Sequence, residues 1–195
     1  MNIKKLGSEY GKHYAVLEML NKDSLVYSFG IGEDITFDIE LMEKTKCIVY
    51  AFDPTPKCLK WVGQQNLPND FKFFDYGLSD RDGIASFDPP PNPEWASYKE
   101  SATGQFFFPV KKLSTIKKEL NHENKRIDFI KLDIEGSEYS VIDNILQENL
   151  NPIQMSIEFH GEKNYIINWV SNNVKLKESY NAYLFDDNEI FFFSK

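Results

Sequence analysis

Residues 25–53, LVYSFGIGEDITFDIELMEKTKCIVYAFD, constrain the fold more than any other stretch of this chain. A short apolar run from Leu25 to Phe29 is broken by Gly30 and Gly32. Residues 35–44 then carry apolar side chains at helical spacing, and residues 48–52 form a second apolar run closed by Asp53 and Pro54. Short apolar runs bounded by turn residues read as strands, and the three-to-four spacing between them reads as a helix. The stretch predicts a βαβ unit, which carries a ligand crevice at the carboxyl ends of its strands.

Glycines suit that turn because a backbone without Cβ bends sharply and lets a ligand lie against it. Asp53 follows Gly32 by about twenty residues, the spacing at which an acid closing the second strand accepts hydrogen bonds from ribose hydroxyls. A dinucleotide fingerprint needs a third glycine where Ile35 stands, and it sets pyrophosphate against the helix start, where Glu33 and Asp34 repel it. The same acids suit a ligand with positive charge near the turn. S-adenosylmethionine, with a sulfonium, an α-amino group and no phosphate, fits that description. The opposing reading takes the Gly30–Gly32 pair as a plain tight turn and Asp53 as a helix cap before Thr55.

At 195 residues the chain is expected to form one domain, 1–195, large enough to bury a core, and 42% hydrophobic residues argue for a folded globule. A net charge of -8 argues against nucleic acid or an anionic membrane as partner, since both need a basic face. Lys111, Lys112, Lys117 and Lys118 read as a solvated helix face. Cys47 and Cys58 have no metal-type or redox spacing, which suits a reducing compartment. Lys4 and Lys5 are not followed by an apolar segment, and no run approaches the length of a membrane span. The expectation is a cytoplasmic protein acting on a small-molecule acceptor.

Residues 1–23 show helical spacing at Tyr14, Leu17, Glu18 and Leu20 and form a cap or a leader. A helix over 57–65, with Leu59 and Val62 inward, and a strand over 71–74 extend the α/β alternation. A further strand is expected over 84–87. Residues 88–105 contain Pro89, Pro90, Pro91 and Pro93 and must be a long loop. Trp95 and Tyr98 give it a face that suits either a lid or a surface excursion. Strands over 106–110, 127–130 and 155–159 alternate with helices over 113–120, 141–146 and 165–170. Residues 182–185 and 190–193 close the chain as an antiparallel hairpin.

Asp133, Glu135, Glu158 and His160 fall at the ends of two consecutive strands, where an open α/β sheet binds ligands. Methyl transfer is an in-line displacement that needs alignment and, for a hydroxyl acceptor, removal of a proton. His160 is the best single base by its reference pKa. Alternatively, Asp133, Glu135 and Glu158 gather a divalent ion, for which oxygen ligands favour magnesium or calcium over zinc. Glu138, on the first turn of the next helix, is equally a cap.

The run IDFIKLDIEGSE, residues 127–138, resembles the signature of the FkbM-type methyltransferases, a class I S-adenosylmethionine-dependent family. VYSFGIGED (26–34), FDPTP (52–56) and the 77–83 segment match the same family in the same order. The resemblance implies a Rossmann-like α/β fold with a mostly parallel seven-stranded sheet, an antiparallel terminal strand and helices on both faces. It also implies O-methylation of sugar or natural-product hydroxyls. By motif, Gly30 and Gly32 would line the methionine end of the cofactor, Asp53 its ribose, and Leu78 and Ser79 its adenine. Phe29 and Asp133 would complete those contacts, and Asp133 and Glu135 would face the transferred methyl. The proline-rich loop and the short N-terminal extension depart from the family pattern and bear on the acceptor. Two rivals remain: a noncatalytic cofactor- or partner-binding protein that kept the fold, and a nicotinamide oxidoreductase. N-methylation also stays open.

Overall fold

A computed structural model describes Met1–Lys195. The chain opens with β1 (Lys4–Leu6) and β2 (His13–Ala15), an antiparallel ribbon, followed by a 3-10 turn at Leu17–Met19. The helical spacing read in residues 14–20 does not form a helix. Residues 13–16 are buried consecutively, and their backbone groups find partners on a neighbouring strand instead. Tyr14 N–H donates to Ser156 Oγ at 3.0 Å and Val16 N–H to Gln154 Oε1 at 2.8 Å, so a helical ladder is not needed to satisfy them.

The expected alternation follows: β3 (Leu25–Phe29), α1 (Thr36–Thr45), β4 (Ile48–Phe52), α2 (Pro56–Val62) and β5 (Phe71–Phe74). Lys46, in the left-handed region at φ 63°, ends α1 by donating its N–H to Met42 O. Pro56 opens α2, where its missing N–H costs nothing. The buried face of α2 is Cys58 and Val62, whereas Leu59, expected inward, is exposed.

The chain then leaves the main sheet. β6 (Gly77–Leu78), β7 (Gly83–Asp88), β8 (Lys99–Glu100) and β9 (Phe106–Lys111) form a separate four-stranded sheet in the order β6-β9-β7-β8. The strand expected near residue 106 therefore pairs locally with β7. The proline-rich segment contains only β8, because a proline run cannot sustain a ladder.

After α3 (Leu113–Glu119) the main sheet resumes with β10 (Phe129–Leu132), α4 (Glu138–Gln147) and β11 (Gln154–Glu158). Two helices follow, α5 (Lys163–Asn172) and the unanticipated α6 (Val174–Ser179), and then the hairpin β12 (Tyr180–Leu184) and β13 (Glu189–Ser194). Strand order is β12-β13-β11-β10-β3-β4-β5, a mixed sheet in which β13 runs antiparallel to both neighbours and the other pairings are parallel.

Both faces of the sheet are covered. Leu25, Tyr27 and Phe29 of β3 enter one core with Leu132 and Ile157, while Val26 enters the other with Phe37, Leu41 and Phe129. That division follows from the two-residue period of a strand. Lys117, read as solvated, is buried and donates Nζ to Lys125 O at 2.7 Å. No helix is long and apolar enough to cross a membrane.

Candidate functional site

The chain builds outward from β3 in both directions, to β4 and β5 on one side and to β10 and β11 on the other. The strand order thus reverses between β3 and β10, and a crevice opens there. A cavity of about 1160 Å³ occupies it, larger than one drug-sized ligand requires. One wall carries Gly30, Gly32, Asp53 and Leu78, and the other carries Asp133, Glu135, Glu158 and His160. Residues 94–100 of the proline-rich segment and residues 9–12 between β1 and β2 complete the enclosure.

The two glycines serve different needs. Gly30 has φ 73°, and a β-carbon there would stand 1.7 Å from the carbonyl oxygen of Asp133. The neighbouring chain, rather than a ligand, excludes a side chain at that position. Gly32, at φ 51°, has only Ala96 Cβ of the proline-rich segment nearby, at 3.9 Å, so its surface is open. Gly32 N–H donates to Asp53 Oδ2 at 2.9 Å, while Asp53 Oδ1 accepts from Thr55 N at 2.9 Å and Thr55 Oγ1 at 2.6 Å. Asp53 thus braces the turn and the start of α2 as well as lining the cavity. A carboxylate offers about four acceptor positions. Three are taken, so one remains for a ligand hydroxyl.

The acidic pair is less available than its sequence position suggests. Glu33 pairs with Lys57 at 2.8 Å, and Asp34 accepts from Ser8 Oγ and from Thr36 N and Oγ1. Two expected cofactor contacts do not line the cavity. Phe29 is fully buried with its ring 4.6 Å from that of Phe52, and only its carbonyl serves the site, accepting from Asp133 N–H. Ser79 is buried beside Asp80 and Glu100. Leu78 does line the cavity.

On the opposite wall, Glu135 adopts φ 56° and Gly136 φ 106°, a turn that carries the Glu135 carboxylate toward His160. A left-handed non-glycine residue costs roughly 1–2 kcal/mol, and such strain concentrates at functional sites. His160 Nε2 lies 3.3 Å from Glu135 Oε2 and 3.7 Å from Asp133 Oδ1. Its Nδ1 is 3.0 Å from Glu138 Oε1, which also accepts from Ile134 N and Gly136 N, each at 3.1 Å. Glu138 is fully buried and is more than a cap: it ties the strained turn to the imidazole.

Burial opposes charge on His160, yet the hydrogen bond and charge of Glu138, with Glu135 and Asp133, outweigh it and raise the pKa to about 9. These partners favour the charged imidazole, whereas the role of base expected for this ring needs the neutral form. Burial raises Asp133 above its ordinary value, with Lys131 and His160 opposing and Glu158 and Glu135 reinforcing.

Asp133, Glu135 and Glu158 do not converge as one ligand set. Asp133 instead joins two groups, one with Glu135 and His160 and one with His13 and Glu158. His13 is buried and uncharged, its pKa driven well below the usual value by burial and by Lys131 and Lys12. Sequence reading missed His13 and Lys131, and it weighed Glu138 only as a residue that could equally be a cap. A lysine inside the apolar run IDFIKLDI was a usable signal: Lys131 is 3% exposed and donates Nζ to Gly30 O, beneath the turn. Nothing local marks His13.

The Methyltransferase FkbM domain profile matches residues 22–187. The probable methyltransferase-like protein 24 of Homo sapiens is 30% identical over 145 residues, spanning 73% of this chain and 34% of that protein. Its counterpart in Rattus norvegicus is 29% identical over 145 residues with the same coverage. The chain spans about a third of the length of these curated relatives. Among solved structures, an rRNA methylase from Streptococcus thermophilus aligns at a TM-score of 0.46 and 13% identity, covering 91% of this chain and 90% of that one. TrmK of M. capricolum, in complex with S-adenosyl-homocysteine, aligns at 0.43 and 17% identity, covering 91% and 63%. With the profile spanning most of its length, the chain belongs to the FkbM methyltransferase domain family.

Proposed function

We propose that this chain is an S-adenosylmethionine-dependent methyltransferase that methylates a hydroxyl of a small acceptor, a sugar or a natural product. The observation that carries the reading is one cavity at the strand-order reversal, with a glycine turn and Asp53 on one wall and a carboxylate–imidazole cluster on the other. In this reading the methionine portion lies along the open face of Gly32, a ribose hydroxyl takes the remaining acceptor position of Asp53, and the adenine lies near Leu78. The cavity has room beyond the cofactor, and the acceptor enters beside Asp133, Glu135 and His160. Methyl transfer needs the acceptor oxygen in line with the sulfonium carbon, and the cluster receives the acceptor's proton. The proline-rich segment and the 9–12 loop close over the reacting groups and exclude water.

Calorimetric titration with S-adenosylhomocysteine, with NAD as control, tests the cofactor. Binding of S-adenosylhomocysteine alone supports the reading, and Asp53→Ala should weaken it by about 1.5–3 kcal/mol, roughly ten- to a hundredfold. A melting curve must accompany that variant, because Asp53 also holds Gly32 and Thr55. NAD binding would revive the oxidoreductase reading. Cofactor binding without turnover across a hydroxylated-acceptor screen would favour a noncatalytic role.

A further inference from the structure

We propose that Asp133 and Glu158, which line the cavity, form with His13 buried behind them a divalent-cation site suited to a first-row transition ion such as manganese, iron or zinc. A ring nitrogen of His13 and one carboxylate oxygen each from Asp133 and Glu158 lie within 4.8 Å of one another. His13 comes from β2, outside the segment matched by the family profile, whereas Asp133 and Glu158 lie within it.

Two of the three side chains, His13 and Glu158, are held from behind by hydrogen bonds, as metal ligands require. His13 is 1% exposed; its Nδ1 lies 3.1 Å from Ser156 Oγ, and its other ring nitrogen has no hydrogen-bond partner. Ser156 and Glu158 stand two apart on β11 and so point to the same face, which places the anchored imidazole beside the carboxylate. Glu158 Oε1 accepts from Asn188 Nδ2 at 3.2 Å, leaving Oε2 free for the cavity. Asp133 is fixed through its N–H to Phe29 O.

The opposing charge is Lys131, whose ammonium is held by Gly30 O and acts on Asp133 and His13 as well as on Asp34 and Asp38. One imidazole with two carboxylates is a mixed nitrogen and oxygen set, which favours first-row transition ions over calcium or magnesium. An ion there would stand beside the acceptor side of the cavity, where it can polarise a hydroxyl. Binding of the ion does not depend on methyl transfer and is read separately from it.

The test uses the full chain, stripped with a chelator and titrated with manganese(II) while the free-ion paramagnetic resonance signal is followed. One ion per chain is expected, with magnesium at least about tenfold weaker and Glu158→Gln weakening manganese about ten- to a hundredfold. The sequence holds three histidines, and the third, His122, hydrogen-bonds Tyr27 in the core. In His160→Gln, therefore, an imidazole nitrogen coupled to bound manganese in pulsed spectra identifies His13 without altering a buried residue. Loss of binding in His160→Gln would move the ion to the other group and overturn the proposal. So would the absence of nitrogen coupling in that variant, or no binding at millimolar manganese.

Discussion

Asp38 sits in α1 with no exposure, and neither carboxylate oxygen has a hydrogen-bond partner. Ser28 Oγ acts on it without reaching hydrogen-bond geometry and is itself unpartnered. Burial raises the Asp38 pKa from 3.8 to about 6, and the charge of Lys131 opposes that shift without cancelling it. Between those two values the folded protein keeps a proton that the unfolded chain has lost. The contribution of this group is therefore most favourable below the unfolded value and declines as pH rises through the folded one. A shift of about two units corresponds to roughly 3 kcal/mol of lost stability at neutral pH.

Asp38→Asn removes that penalty, although a buried amide without a partner takes back roughly 1 kcal/mol. The expected net gain is about 2 kcal/mol at neutral pH, falling through zero at roughly pH 4.5 and becoming a small loss below it. The contrary argument is that removing one member of a buried charge pair is destabilising. Asp38 makes no direct contact with Lys131, so the burial penalty should win. Urea unfolding of both proteins at neutral and mildly acidic pH decides the matter. An Asn variant less stable than the parent at neutral pH would refute the reasoning and show that Lys131 needs this counter-charge.

Gly30→Ala should fail to fold, or lose more than about 4 kcal/mol, because Asp133 O already occupies the position of the added carbon. Gly32→Ala should fold at a cost of roughly 1–2 kcal/mol for its positive φ, while its methyl, facing the cavity, weakens S-adenosylhomocysteine in the same calorimetric assay. Equal behaviour of the two variants in melting would contradict the distinction. Glu138→Ala strips an acceptor from two backbone N–H groups and His160 and should cost about 3 kcal/mol or more in urea unfolding, whereas Glu138→Gln keeps an acceptor oxygen and should cost about half that. For Glu135→Gly, relief of left-handed strain offsets the entropy of glycine, so stability should stay within about 1 kcal/mol of the parent; a large loss on thermal melting would show that the side chain holds the turn.

Much of the main sheet was legible. Residues 25–53 and the final hairpin formed as read, since apolar runs and turn residues act over a few neighbours. The ribbon at residues 4–15 was not, because its backbone is satisfied by Ser156 and Gln154, about 140 positions away by the contacts above. The second sheet was missed for a related reason: β9 looks like any other apolar strand, and only its pairing with β7 removes it from the main sheet.

The site divides along the same line. Glycine spacing, an acid after β4 and the LDIEGSE run marked where a ligand belongs, because strand ends and turn chemistry are written locally. Pairing decided which groups meet. Register between β3 and β10 set the Asp133 carbonyl against Gly30 and brought Lys131 Nζ to Gly30 O across 101 residues. Docking of β2 on β11 carried His13 to Asp133 and Glu158, and the turn at Glu135 and Gly136 gave His160 its charge partners. By itself the sequence determined the order of strands and helices and the chemistry at their ends. Tertiary structure alone decided which of those groups face one another, since burial, charge and strain arise only when segments distant in the chain share one space.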